Sequence, residues 1–135
     1  MSDFNQQIIE EFRSNGGKVG GYFEGSDLLL LTTTGAKSGR RLTTPVMYLE
    51  DGGRLVVIAS AAGADRSPAW YHNLRATPEV TIEVGTETYA AKATVVDSEE
   101  RDRLYARMVE KAPGFADYEA KTTRVIPVIA LDRQS

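Results

Sequence analysis

The segment with the greatest potential for chemistry is a loop of three cations and two glycines, Gly35–Arg41, in a chain whose formal net charge is −3. Lys37, Arg40 and Arg41 supply the positive charges, and Ser38 adds a hydroxyl. Loops of this composition hold a phosphate or a row of carboxylates. The alternative is a polar hairpin turn whose cations keep a sheet edge soluble. The residue types alone leave both interpretations open.

The spacing within this basic loop excludes a Walker-type nucleotide site. Lys37-Ser38 follows Gly35 after one intervening residue, and the next segment has the pattern of a strand rather than a helix. No Gly-x-Gly-x-x-Gly motif of the dinucleotide-binding kind follows a strand elsewhere in the chain. Any anion held by the loop must therefore be bound in another way.

A second candidate anion site is Ser60–Pro68, where small residues end a strand and a helix begins. Small residues let a ligand approach the backbone, and the first turn of a helix offers unpaired N–H groups. Ser67 and Pro68 also fit an ordinary helix start, with a capping hydroxyl and a proline in the first turn. Two such loops in one small domain favour a shared ligand more than either loop does alone.

The chain has few side chains able to perform catalysis by themselves. It has no cysteine and a single histidine, His72, so disulfides, thiolate nucleophiles and the usual zinc sites are excluded, and we expect no metal centre. His72 stands in no recognisable triad order, and the carboxylates fit solvated faces and helix caps better than an acid–base pair. We therefore expect a bound cofactor to supply the chemistry.

The overall composition narrows the class of protein. A length of 135 residues predicts one domain, residues 1–135. Charged residues make up 26% of the chain but form no long basic face, so we expect no nucleic-acid partner. No apolar run approaches the roughly 20 residues of a membrane span, and the amino terminus lacks the order of a signal peptide. A cytoplasmic protein is expected.

Short strands joined mostly by hairpins dominate the pattern of elements. Three segments are predicted to be helices, at residues 5–15, 67–77 and 97–111, and a short helical piece carrying Phe115 and Tyr118 follows Pro113-Gly114. The strands are predicted at residues 28–33, 43–50, 55–60, 80–84, 88–96 and 124–131. This mainly β pattern predicts a small antiparallel barrel with flanking helices.

With these segments identified, the chain resembles the deazaflavin (coenzyme F420)-dependent nitroreductases, also called F420H2-dependent quinone reductases, over nearly its whole length. The resemblance implies a split β-barrel of the FMN-binding, pyridoxamine-phosphate-oxidase-like type. It also implies hydride transfer from reduced coenzyme F420 to an organic acceptor such as a quinone, a nitro compound or an activated alkene. The segments that carry it are Phe12–Gly21, Leu28–Gly39, Thr44–Tyr48, Asp51–Arg54, Ser67–Leu74 and Ile126–Val128.

The resemblance also implies which residues form the site. The basic loop would hold the phosphate and glutamyl tail, and the segment near Ser60 would line the deazaflavin ring. Ser60 and Tyr118 match positions that face the substrate, and Phe115 falls where family members place an aromatic residue. The implied cofactor-binding residues are Lys37, Ser38, Gly39, Arg40, Arg41, Thr43, Pro45, Val46, Met47, Ile58, Ala59, Ser60, Ala61, Ala69, Trp70, Tyr71 and Asn73.

Three positions depart from the family pattern. Ala36 stands where many members carry arginine, and Leu42 stands where many carry a basic residue. Arg40 and Arg41 are expected to compensate for these losses. Ala112 replaces an aromatic residue found in the member that reduces nitro prodrugs.

Two alternative functions are consistent with the same barrel. The first is an FMN-dependent oxidoreductase. FMN has one phosphate and no carboxylate tail, so binding it would not require a loop with three cations. A non-catalytic carrier of deazaflavin or another anionic ligand is the other. We expect a small-molecule acceptor as partner and either a monomer or a homodimer. Membrane contact should be at most peripheral, at the inner face, because Glu10 and Glu11 oppose binding to anionic lipid.

Overall fold

The computed structural model describes residues 3–20 and 27–134; Gly21, the last residue of one resembling segment, lies outside them. The described residues form seven strands and four α-helices, with one 3₁₀ turn at Ala61–Gly63. The helices are α1 (Asp3–Ser14), α2 (Ala69–Ala76), α3 (Ser98–Lys111) and α4 (Gly114–Ala120). The strands are β1 (Leu28–Thr34), β2 (Arg41–Met47), β3 (Leu49–Asp51), β4 (Arg54–Ile58), β5 (Glu79–Val84), β6 (Glu87–Val95) and β7 (Val128–Arg133).

The seven strands form one sheet in the order β2-β1-β5-β6-β7-β4-β3, and every neighbouring pair is antiparallel. Its two terminal strands, β2 and β3, are separated in the chain by Tyr48 alone. The sheet must therefore curl until its two ends come together. This is the split barrel that the sequence predicts.

Two strand predictions are wrong in detail. Residues 43–50 are not one strand but two, because the chain changes its partner: up to Tyr48, whose N–H donates to the Asp27 carbonyl at 3.1 Å, it runs beside β1, and from Leu49 it pairs with β4. The last strand begins at Val128 rather than Arg124. Residues 124–127 instead run beside the segment after β4, where the Ala59 N–H donates to the Pro127 carbonyl at 3.0 Å.

Helix packing on both faces of the sheet explains the continuous apolar run of β1. Leu29 and Leu31 point into the curl, where they join Trp70 and Leu74 of α2 in the main core. Alternate side chains of β1 point outward and are covered by Phe12 and its neighbours on α1. The α3 and α4 helices cover the outer face of β4 and β7.

The helix starts behave differently from one another. Asp97 caps α3 as predicted, because its carboxylate accepts from the Glu100 N–H at 3.0 Å. The prediction that the Ser67 hydroxyl caps α2 is wrong. Pro68 is the residue at the capping position of α2, and no side chain caps this helix. The Ser67 hydroxyl is used elsewhere, as the acceptor of a 3.2 Å hydrogen bond from Arg124 Nη1.

An arginine cluster around Asp51 fastens α3 to the β3–β4 hairpin. The Asp51 carboxylate accepts from Arg107 at 2.8 Å, from Arg54 at 3.1 Å and from Arg103 at 3.2 Å. Arg54 also pairs with Glu100 at the start of α3. Hydrogen bonds from Arg103 and then Arg54 lower the pKa of Asp51 from 3.8 to about 2, against an opposing effect of burial.

Replacing Asp51 with asparagine should destabilise the protein by about 1 kcal/mol, because three guanidinium groups lose a charged acceptor. Thermal unfolding at pH 7 should show a midpoint about 4 °C lower.

The stabilisation by Asp51 should depend on pH. The Asp51 carboxylate has a lower pKa in the folded state than in the unfolded chain, so its contribution to stability is complete above pH 3.8 and disappears as the pH falls through about 2. The wild-type and Asp51→Asn midpoints should therefore converge in acid. Equal midpoints at pH 7, or an equal loss in Asp132→Asn at an exposed position, would contradict this role.

Candidate cofactor and substrate cleft

A cleft of about 490 Å³ opens between β2 and the end of β4, where the two ends of the curled sheet approach each other. The 3₁₀ turn, the start of α2 and one side of α4 complete its walls. The lining residues are Asn5, Leu42, Thr44, Pro45, Val46, Met47, Ile58, Ser60, Ala61, Pro68, Ala69, Trp70, Phe115 and Tyr118.

Most of this lining is apolar, and hydroxyl groups are added by Thr44, Ser60 and Tyr118. Sites for flat organic cofactors commonly have this character, with a few polar groups that fix orientation. β2 forms one wall and is also the terminal strand of the sheet. Alternate backbone N–H and C=O groups of a terminal strand have no partner in the sheet, so they are available to a ligand.

The turn after β4 presents a strained residue to the cleft. Ala61 has φ +46°, and it is the only non-glycine residue with positive φ in the described parts of the chain. Left-handed backbone is unfavourable for alanine and survives only where surrounding contacts impose it. Ser60, beside it, is 8% exposed, and its hydroxyl makes no hydrogen bond to any residue within 3–20 or 27–134.

The α4 wall is held in place by α3. Phe115 is buried and stacks edge-to-face on Tyr118, with ring centroids 5.2 Å apart and planes at 74°. The Tyr105 hydroxyl donates to the Phe115 carbonyl at 2.6 Å, and burial, the first cause, raises the pKa of Tyr105 to about 12. Tyr105 thus remains a protonated donor throughout the physiological range. Arg101 adds an ion pair to Glu119 at 2.8 Å.

The basic loop lies against α2 through Asn73. The Asn73 amide oxygen accepts from the Ala36 N–H at 3.0 Å, and its amide nitrogen donates to the Thr33 hydroxyl at 3.1 Å. The loop itself closes on the Gly39 N–H, which donates to the Gly35 carbonyl at 3.0 Å. The left-handed backbone of Gly39, with φ +71°, permits this turn. Asn73 therefore positions the loop relative to the helix that lines the cleft.

The three cations of the loop differ in their contacts. Arg41 donates to the hydroxyls of Thr34 at 3.1 Å and Thr81 at 2.8 Å, so its guanidinium lies across β1 and β5. The charged groups of Lys37 and Arg40 are exposed and pair with no carboxylate in the portion of the chain that the structure describes. The loop beside α2 thus carries three positive charges that no described carboxylate neutralises.

The structure brings together eight of the predicted cofactor-binding residues and all three predicted catalytic residues. Other predicted cofactor-binding residues lie outside the lining. The hydroxyls of Thr43 and Thr32 share a hydrogen bond of 2.8 Å. Ala59 is buried in the main core, and Tyr71 packs against that core. Those in the lining are Pro45, Val46, Met47, Ile58, Ser60, Ala61, Ala69 and Trp70, with Phe115 and Tyr118.

Four lining residues were missed by the sequence analysis. Leu42 and Thr44 alternate with predicted residues on β2, and Pro68 precedes the predicted Ala69, so strand period and adjacency could have indicated them. Asn5 arrives from α1 through tertiary packing, and no local pattern marks it.

A family model described as F420H(2)-dependent quinone reductase matches residues 5–133. The chain belongs to this family. An F420H(2)-dependent quinone reductase of Mycobacterium tuberculosis (strain ATCC 25618 / H37Rv) is 38% identical over 129 residues, which cover 91% of this chain and 85% of that relative. The predicted family, with its enzyme class and its F420 dependence, is confirmed.

Solved structures agree with membership of the F420H(2)-dependent quinone reductase family. An F420-H2-dependent reductase, FDR-A, matches with a TM-score of 0.72 and 36% identity, covering 78% of this chain and 94% of that one. A domain-swapped dimer matches with a TM-score of 0.74 and 33% identity, covering 94% and 93%. A pyridoxamine 5′-phosphate oxidase-like protein of Listeria innocua, at 11% identity and a TM-score of 0.60, shares the fold alone and covers 98% and 95%. The predicted split barrel is confirmed.

None of the helices within residues 3–20 and 27–134 combines the length and the apolar composition that crossing a bilayer requires.

Proposed function

We propose that this chain transfers a hydride from reduced coenzyme F420 to a quinone, with both molecules in the cleft between β2 and α4. The observation that carries the proposal is the position of an apolar slot next to a loop whose three cations pair with no carboxylate among the described residues. Coenzyme F420 has a flat deazaflavin ring and an anionic tail, and when bound and reduced it supplies a hydride. The two halves of the site match the two halves of the cofactor.

The ring would lie against the apolar wall. Val46, Ile58 and Trp70 offer flat or branched apolar surface, and the volume of about 490 Å³ is within the range of cofactor sites. The free edge of β2 would hydrogen-bond the polar side of the ring through backbone groups between Pro45 and Met47. These interactions require the curled sheet but no charged side chain.

The tail would follow the basic loop. Lys37 and Arg40 have no carboxylate partner among the described residues, so phosphate and carboxylate groups can pair with them without displacing an internal ion pair. Ser38 would add a hydroxyl. Arg41 would contribute mainly through its long-range charge, because its guanidinium is already bonded to two threonine hydroxyls.

The acceptor would lie next to α4. A quinone needs two electrons and two protons to become a hydroquinone; the hydride brings both electrons with one hydrogen, so one further proton must reach an acceptor oxygen. Tyr118 would donate this proton, and the Ser60 hydroxyl would donate a hydrogen bond to a carbonyl oxygen. Phe115, buried against Tyr118, would keep water from the reacting atoms.

Mixing the purified protein with reduced F420 and menadione tests the function directly. We expect tight binding of F420 by fluorescence titration and oxidation of the cofactor well above the rate without protein. Binding of FMN in preference to F420 would overturn the proposal in favour of a flavin enzyme. F420 binding without turnover across quinones, nitro compounds and unsaturated lactones would indicate a carrier.

Replacing Lys37 or Arg40 with glutamine should raise the dissociation constant of F420 about two- to fivefold each, because each removes one exposed charge contact. The loss should shrink as salt is added. A deazaflavin without the phosphate and glutamyl tail should bind both variants and the wild type equally. Lys92→Gln, at an exposed position of β6, is the matched control. Equal weakening for the tail-less compound would place these cations elsewhere than at the tail.

Replacing Tyr118 with phenylalanine should lower kcat for menadione about 100-fold if the hydroxyl donates the proton. Ser60→Ala should lower it about tenfold, the value of one lost hydrogen bond to the acceptor. Neither change should alter the dissociation constant of F420 by more than about twofold, and Tyr89→Phe on β6 is expected to be silent. An unchanged kcat in Tyr118→Phe would assign the proton to solvent.

A further inference from the structure

We infer that Arg124 is a positioning residue, whose guanidinium holds the segment from Ala59 to Ser67 in the shape that the cleft requires. This inference rests on the proposed function, because the segment contains Ser60 and Ala61 of the cleft wall. Arg124 itself is absent from the lining and lies behind the wall.

The guanidinium reaches both ends of the segment. Nη2 donates to the carbonyls of Ala59 at 3.1 Å and Ser60 at 2.9 Å. Nε donates to the Ala64 carbonyl at 2.8 Å, and Nη1 to the Ser67 hydroxyl at 3.2 Å. One side chain thus connects four positions that are up to eight residues apart in the chain. Without it, the Ser60 carbonyl would keep only its hydrogen bond from the Gly63 N–H, and the Ala59 and Ala64 carbonyls would lose the donor that Arg124 provides.

These bonds enclose the strained residue of the cleft. Ala61, with φ +46°, lies between the Ser60 and Ala64 carbonyls that Arg124 holds. Left-handed backbone is unfavourable for alanine, so the conformation needs external support. Within the turn itself the Gly63 and Ala64 N–H groups donate to Ser60 and Ala61 at 2.9 and 3.1 Å. Arg124 supplies contacts from outside the turn that select this conformation.

The residues around Arg124 strengthen the same attachment. Its own N–H donates to the Thr122 hydroxyl at 3.3 Å, and that hydroxyl donates to Asp65 at 2.9 Å. Gly63 lies so close to α4 that an added Cβ would be 3.0 Å from the Tyr118 carbonyl. Arg124 therefore fixes the wall that carries Ser60 relative to the helix that carries Tyr118.

The geometry of arginine, rather than its charge, fits this role. All four acceptors of Arg124 are carbonyl or hydroxyl oxygens, and none is a carboxylate. A planar guanidinium can donate hydrogen bonds to four acceptors in fixed directions, whereas a lysine ammonium has three donors on a flexible side chain. A lysine at this position should keep the positive charge and lose most of the attachment.

The first test uses the ligand-free protein and hydrogen exchange. In Arg124→Lys and Arg124→Gln the amides of Gly63 and Ala64 should exchange at least about tenfold faster than in the wild type. Arg103→Gln is the control, because its guanidinium bonds to Asp51 and Glu100, away from this segment. It should leave those two amides unchanged. Ser67→Ala removes a single acceptor of Arg124 and should therefore accelerate the exchange of these two amides to a smaller extent. This variant provides the measurement if Arg124→Gln does not fold.

The second test is a comparison of kcat with F420 binding. Both Arg124 variants should lose about 10- to 100-fold in kcat for menadione, because the Ser60 wall and the Tyr118 helix no longer hold a common geometry. The dissociation constant of F420 should change less than about fivefold, since its tail is held by the basic loop. Combining Arg124→Lys with Ser60→Ala should be less damaging than the product of the two single losses.

The outcomes separate this inference from the proposed function. Wild-type behaviour of Arg124→Lys, or amide exchange no faster than in Arg103→Gln, overturns the positioning role. Absence of menadione turnover in the wild-type protein overturns the proposed function instead. The exchange measurement then still decides whether Arg124 holds the segment.

Discussion

Tyr48 alone joins β2 to β3, and these strands occupy opposite ends of a seven-stranded sheet. A connection of one residue spans only a few ångströms, so the two ends of the sheet must meet. Everything else in the molecule depends on this closure. It creates the inner core around α2, and it leaves a cleft where the ends approach without pairing. The proposed ligand site is this cleft, so it exists because the barrel does not close completely.

The walls of the cleft are made rigid from outside. Asn73 ties the basic loop to α2, Tyr105 and Arg101 tie α4 to α3, and Arg124 ties the turn after β4 to the chain that follows α4. None of these four side chains belongs to the lining. A protein that leaves the difficult chemistry to a cofactor contributes mainly by holding surfaces at fixed separations, and its polar network is arranged for that purpose.

The parts of the fold that local patterns determine were predictable from the sequence. Apolar runs gave β1, and alternation gave β5 and β6, while Asp97 marked the start of α3. The break at Tyr48 was not predictable, because it depends on a change of partner from β1 to β4, which tertiary structure decides. Ten of the fourteen lining residues were among those that the family resemblance implied. Arg124 was predicted to belong to the last strand, and its role was not predictable because three of its four acceptors are backbone carbonyls, which have no sequence signature.

The open edge of β2 has a consequence for the behaviour of the protein before it meets its ligand. Unpaired strand edges invite pairing with other chains, which leads to aggregation or exchange of strands between copies. Covering the edge would close off a site that a ligand must reach. Pro45, in the middle of β2, leaves this edge accessible and still opposes pairing with another strand. Proline within a strand is found where the N–H that it lacks would point away from the sheet. An approaching strand meets a position with no donor, whereas a small planar molecule needs only the remaining groups. The same residue that lines the cleft thereby makes β2 a poorer partner for a strand of another copy.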